Sequence, residues 1–151
     1  EQDVDGSSKF DPDGYHRMTI RAKNPILESY DIEKKPFLSY IEIAAHGMVS
    51  KNIAIEKQYP TMIHDFTVTE NYAIFFDCPA VFDLQAMKKG HSLLSWREDY
   101  PTRIILLHRK TGQIQTIETD TFFVFHFANA FEKDRMVISS EIYSFEVFFN
   151  K

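Results

Sequence analysis

Phe66-Thr67-Val68-Thr69-Glu70-Asn71-Tyr72-Ala73-Ile74-Phe75-Phe76-Asp77 decides the fold class of this chain. Two runs of β-branched and aromatic residues flank Glu70-Asn71, a pair suited to a tight turn, so the segment reads as antiparallel strands at 66–69 and 72–77. The same grammar recurs on both sides. Lys110-Thr111-Gly112 closes a strand at 103–108 onto one at 113–118, and His46-Gly47 closes 38–44 onto 49–56, each glycine supplying the positive φ that such turns use. Further runs at 123–127, 136–140 and 142–149 keep a spacing of about 8–12 residues, the signature of an all-β chain. Composition agrees: Phe occurs 14 times and Gly only 5, so the apolar content suits pleated surfaces.

Two stretches depart from this texture. Residues 1–35 form an irregular N-terminal part, with a turn signal at Asp11-Pro12-Asp13-Gly14, an interruption at Asn24-Pro25 and one short strand at 17–21. In 80–94, Val81, Phe82, Leu84 and Met87 fall at roughly helical spacing and Lys88-Lys89-Gly90 resembles a helix end, so a loop with a helical turn is expected. The remaining residues, 36–149, are antiparallel strands. Such meanders fit a sandwich, a barrel or a propeller. A propeller blade takes roughly 40–45 residues for four strands, so the chain holds little more than two blades. A closed propeller needs at least about four, and on that reading the chain is a single incomplete segment with open edges.

Several classes of function are excluded at this level. The net charge of −5 mixes both signs without a basic block, which leaves no electrostatic footprint for nucleic acid. Cys78 is the one cysteine, cannot form an internal disulfide, and reads as a small semi-buried residue. No basic-then-apolar leader opens the sequence, and no apolar run approaches the ~20 residues of a membrane span. A cytoplasmic or peripheral membrane location is expected. The first residue is Glu1 rather than Met, from which sequence is expected to be missing ahead of it.

Six histidines are present, and two stand apart. His64 lies in Tyr59-Pro60-Thr61-Met62-Ile63-His64-Asp65-Phe66, at the entry to a strand. His126 lies in Phe122-Phe123-Val124-Phe125-His126-Phe127-Ala128-Asn129-Ala130-Phe131-Glu132, the most aromatic stretch of the chain. Both are expected to be buried, where a neutral imidazole is a good ligand for a divalent metal. No close-set ligand motif joins them, so spacing alone leaves the metal-ligand and core-histidine readings both open.

The segment from Pro60 through His64-Asp65-Phe66 and Thr69-Glu70-Asn71-Tyr72 to Phe75 resembles the one that carries the second iron-binding histidine of the carotenoid cleavage oxygenases, the retinal pigment epithelial membrane protein family. Phe123-Val124-Phe125-His126-Phe127-Ala128-Asn129-Ala130-Phe131-Glu132 is similar to the segment with its third. Between them, Pro101-Thr102-Arg103-Ile104-Ile105-Leu106-Leu107 followed by Arg109 resembles the strand ahead of the third-histidine hairpin. The resemblance spans about residues 36–145 and is nearest to microbial apocarotenoid and lignostilbene cleavage enzymes.

That resemblance implies a seven-bladed β-propeller with iron(II) on its axis, held by four histidines from different blades. It implies oxidative cleavage of a carbon–carbon double bond in an apolar polyene or stilbene-like molecule by dioxygen, and His64 and His126 as iron ligands. The rest of the propeller would be needed to complete the site. Ser7 or Lys23 falls where the first histidine is expected, the fourth belongs beyond Lys151, and the family's histidine-orienting glutamates fall outside the matched segments. His16 is considered as a substitute ligand. His46, His91 and His108 read as turn, loop and capping residues, and Asp65, Asn129 and Glu132 as turn or strand-edge hydrogen-bonding groups. Trp96 reads as a core edge. The apolar residues of 80–94 are expected to fold back onto the sheet rather than enter a membrane surface, the peripheral contact the family suggests.

Two rival readings stand beside the enzyme. One is a catalytically silent β-sheet interaction module or remnant without a complete iron site; the other is a small sandwich of unrelated function, which makes both motif matches coincidental. The enzyme reading expects the two imidazoles to approach one another near one end of the sheets.

Overall fold

The computed structural model describes residues 9–11, 14–21, 24–44, 46–133 and 136–141, with side chains over 28–29, 31–44 and 46–133. Their regular structure is almost entirely antiparallel strand, and the chain divides into two compact units, Glu1–Pro60 and Thr61–Lys151. Among the described residues no helix is long and apolar enough to cross a membrane.

The first unit is a five-stranded meander of β1 (Lys9–Asp11), β2 (Gly14–Arg21), β3 (Asn24–Tyr30), β4 (Leu38–Ile43) and β5 (Val49–Ile55), each strand paired with its chain neighbours. The expectation of an irregular stretch is therefore corrected over 9–11, 14–21 and 24–30, while 31–35 lie outside any strand. Tyr15, Met18 and Ile20 do not alternate, so no local period marks β2; its strand character comes from pairing with β3 from Tyr15↔Tyr30 to Arg21↔Asn24. Pro25 does not interrupt β3 because it occupies the second position beside the hairpin turn, where a missing N–H is tolerated. Asp11 pairs with Gly14, while Pro12 and Asp13 lie outside the described residues, as do Ser7 and Lys23. The β4–β5 turn is as expected: Gly47 has φ +85° and donates its N–H to the Ala44 carbonyl at 2.8 Å.

In the second unit, β6 (Thr67–Val68), β7 (Tyr72–Asp77), β10 (Thr102–His108) and β11 (Ile114–Thr119) form a four-stranded sheet in the order β11-β10-β7-β6. Strand β7 is central. Ile74, Phe76, Cys78 and Ala80 face a core shared with Phe123, Val124 and Ala130, against which Ile104, Leu106, Trp96 and Phe127 also pack. Ala73 and Phe75 are buried on the opposite face with Ile105 and Leu107, their partners across the ladder, and Phe66 stacks on Phe75 at 5.1 Å between ring centroids. Strand β11 is the edge and is exposed along nearly its whole length.

Residues 80–94 are more ordered than a loop. Strands β8 (Ala80–Phe82) and β9 (Leu94–Trp96) form a hairpin around a short helix α1 (Leu84–Lys88), whose Asp83 cap accepts the N–H groups of Gln85 and Ala86. The helical spacing begins only after Phe82; Ala80 and Val81 are buried, so the apolar run does fold back, and Met87 alone of that run is exposed. A second correction concerns 123–127. Residues 121–126 lie outside any strand ladder, and strand β12 (Phe127–Lys133) begins only at Phe127, pairing with β13 (Met136–Glu141). Phe123 and Val124 are adjacent and both buried, which breaks strand alternation, and Thr102 Oγ1 both donates to the Phe122 carbonyl and accepts its N–H. The strand expected at 142–149 lies outside the described residues.

Asp77 closes β7 with 0% exposure. Thr61 Oγ1 donates to its Oδ1 and the Tyr100 hydroxyl to its Oδ2 at 2.7 Å, and Arg103 Nη1 reaches the Tyr100 oxygen at 3.4 Å. Burial, followed by the adjacent Asp77 carboxylate, pushes the Tyr100 hydroxyl well above the ordinary phenol range, which fixes it as a donor. One carboxylate thus ties the entry to the His64 segment and the entry to β10 onto the end of β7. Asp77→Ala strands two buried hydroxyls and is expected to destabilise the chain by about 2–4 kcal/mol, against about 1 kcal/mol for Tyr100→Phe. Equilibrium urea unfolding followed by Trp96 fluorescence measures both; equal, small losses would contradict the assignment.

Candidate metal centre

His64 is set by its neighbours. Upstream, Thr61 bridges Val81 and the Met62 N–H donates to the Ala80 carbonyl at 2.7 Å, pinning the strand-like entry. Ile63 and Phe66, each 2% exposed, anchor the chain on either side of His64-Asp65. The His64 imidazole is left half-buried between these anchors. His126 is placed by alternation in extended backbone: Phe125 and Phe127 pack against the core, so the residue between them faces the other way. The expectation that both histidines are buried is corrected here, since His126 retains 49% of its side-chain exposure.

The two imidazoles meet, although 62 positions separate them in sequence. Their ring centroids are 5.0 Å apart at 78°, and the Phe125 ring stands edge-on to His64 at 4.9 Å. Both sit just ahead of a strand, β6 in one case and β12 in the other. Two imidazoles bound side by side to one ion at about 2.0–2.1 Å have ring centroids roughly 4.5–5.2 Å apart, and the observed separation falls in that range. Among the described residues no group of three or more His, Cys, Asp or Glu side chains is arranged to hold a metal ion.

Two carboxylates fix β12 against the sheet. Asp65 Oδ1 accepts the Phe66 N–H at 2.8 Å and its Oδ2 accepts the Phe127 N–H at 3.2 Å, with His126 Nδ1 3.6 Å from the same oxygen. At the other end Glu132 takes hydrogen bonds from Thr69 Oγ1, from the Asn71 N–H at 2.9 Å and from Asn71 Nδ2 at 2.9 Å, so it clamps the β6–β7 turn. Arg109 Nη1 grips the same turn through the Thr69 and Glu70 carbonyls at 3.0 and 3.1 Å. Asn129 makes a local bond, accepting the Ala130 N–H. The strand-edge roles expected for these three side chains are thus what the structure shows, but the partners of Asp65 and Glu132 lie about sixty positions away and no local pattern announces them.

Of the other histidines, His91 and His108 lie elsewhere in the second unit. His108 caps its hairpin, its Nδ1 accepting the Thr111 N–H at 3.2 Å; His46 and His91 are exposed in turns; His16 belongs to β2 of the first unit and its side chain is outside the described residues. Trp96 is half-buried at the core edge and Cys78 lies within the core.

A family profile described as retinal pigment epithelial membrane protein matches residues 16–151. The chain belongs to that family, the carotenoid cleavage oxygenases. It is 34% identical over 108 residues to 9-cis-epoxycarotenoid dioxygenase of Arabidopsis thaliana, a match that covers 70% of this chain and 19% of that protein. Among solved structures, lignostilbene dioxygenase of Pseudomonas brassicacearum superposes with a TM-score of 0.68 at 28% identity, over 77% of this chain and 25% of that one. Cobalt-substituted apocarotenoid oxygenase of Synechocystis superposes with a TM-score of 0.62 at 29% identity, over 76% of this chain and 25% of that one. This carotenoid cleavage oxygenase chain therefore spans about a fifth of the curated relative's length and a quarter of the solved ones.

Hydrogen bonds from Asn71, then from Thr69, hold the Glu132 carboxyl below its usual 4.5. A depressed folded value means that the clamp is present above the unfolded value and is lost as pH falls through the folded one. The Asn71 amide, which donates to Glu132, is accordingly expected to keep its hydrogen-exchange protection at neutral pH and to lose it on acidification below 4.5. In Glu132→Gln the protection should be weaker and flat across the same range. Unchanged protection of the wild-type amide at low pH would refute the clamp.

Proposed function

We propose that this chain supplies His64 and His126 to a non-haem iron(II) centre, and is part of an oxygenase that cleaves a carbon–carbon double bond of a carotenoid, apocarotenoid or stilbene-like substrate with dioxygen. The observation that carries the proposal is the 5.0 Å approach of two imidazoles from segments far apart in sequence. The activities of the relatives, and a relative whose structure is cobalt-substituted, support it. On this reading the four-stranded sheet β11-β10-β7-β6 and the meander β1–β5 each correspond to a blade of a seven-bladed propeller.

Imidazole nitrogen suits first-row divalent metals, and two ligands leave most of the coordination sphere to groups elsewhere in the full protein. The bound iron supplies the activation of dioxygen; the residues here bind and orient. His64 is held between the buried Ile63 and Phe66 and cannot swing freely, while Phe125 covers one of its faces. An apolar polyene offers no hydrogen bonds, so aromatic walls such as Phe125 position it by contact and keep water from the reacting bond.

The test uses the full natural protein purified with iron(II). About one iron per chain and oxygen-dependent bleaching of an apocarotenal or loss of a stilbene chromophore are expected, both abolished by His64→Ala and by His126→Ala. Bleaching retained in His64→Ala would overturn the ligand assignment. A full-length protein that binds no iron and bleaches nothing would instead be a silent β-sheet module.

A further inference from the structure

We infer that Asp65 is the positioning residue of the histidine pair: its carboxylate staples the two ligand-bearing segments together, one peptide unit beyond each imidazole. The inference rests on the reading of His64 and His126 as ligands of one metal. Asp65 follows His64 in the chain, and its Oδ2 accepts the N–H of Phe127, the residue that follows His126. Its other oxygen is occupied by the Phe66 N–H, so the carboxylate cannot rotate without giving up one of its two amide bonds. The side chain is only 13% exposed, and its bonds are less diluted by water than those of a surface carboxylate.

The chemistry calls for this residue type at this place. A divalent ion accepts its ligand atoms within about 0.2 Å of ideal distance, yet the two imidazoles reach each other across a 62-residue span that no covalent link shortens. Glu132 fixes the far end of β12, six residues from His126, which is too distant to set a ligand atom within tenths of an ångström. The Phe127 bond acts one residue away. The oxygen that makes it also stands 3.6 Å from His126 Nδ1, beyond hydrogen-bond length. Asn in place of Asp65 offers one acceptor for two amide donors, and Ala offers none.

The experiment titrates cobalt(II) and iron(II) into the full natural protein and its Asp65→Ala, Asp65→Asn, His64→Ala and His126→Ala variants, recording affinity and the cobalt d–d absorption bands below any unfolding temperature. Asp65→Ala is expected to weaken metal binding about 10–100-fold and to shift the bands, with Asp65→Asn losing less. Should Asp65→Ala fail to fold, folded Asp65→Asn decides: affinity and bands identical to the wild type overturn the inference. The same identity in folded Asp65→Ala, with His64→Ala and His126→Ala unable to bind metal, overturns the role of Asp65 and leaves the ligand pair standing. Metal binding unchanged in both histidine variants overturns the ligand pair and this inference with it.

Discussion

Strand β7 is cut off from water on both faces, and a strand accepts that only when both of its edges are paired and both of its sides are covered. Strands β6 and β10 supply the pairing. One side is covered by the shared core of Phe123, Val124 and Ala130, and on the other Phe66 stacks on Phe75. Those covering residues belong to the segments that bear the histidines: Phe66 lies two positions after His64, and Phe123 and Val124 lie just before His126. The burial of β7 therefore draws both imidazoles to the same sheet, and the site is a by-product of how its central strand is kept dry.

What the sequence made legible follows from the range of the interactions concerned. Glu70-Asn71 and Lys110-Thr111-Gly112 are local signals, and the hairpins they mark are present. Most of β2 and all of β3 escape a local reading because they carry charged and polar residues without clear alternation, and a strand of that kind is defined by its partner. The aromatic run at 122–127 has strand composition yet no ladder until Phe127, since Thr102 occupies both backbone polar groups of Phe122. Asp77 gave no signal at all; its acceptor role depends on Thr61 and Tyr100, which only the folded chain brings to it.

The histidine pair sits between these extremes. Its members were recognisable through the family motifs around them, whereas their difference in exposure was not. His64 is enclosed because its neighbours Ile63 and Phe66 are both anchors; His126 is open because its neighbours Phe125 and Phe127 both turn to the core. Aromatic surroundings in sequence do not bury the residue between them when the backbone is extended, since period-2 alternation sends neighbours to opposite sides.

The two carboxylates that hold β12, Glu132 within it and Asp65 ahead of β6, divide that work in a way that follows from their surroundings. Glu132 is exposed and takes three hydrogen bonds, so its hold on the β6–β7 turn is accessible to protons. Asp65 is mostly enclosed and accepts from two backbone amides, whose donors are fixed in the main chain. A hairpin gripped by an enclosed carboxylate near the histidines and by an exposed one farther away can loosen at its distal end while the histidine end keeps its place. The order of those two grips along β12, rather than the number of contacts, is what lets an unlinked pair of imidazoles stay in register.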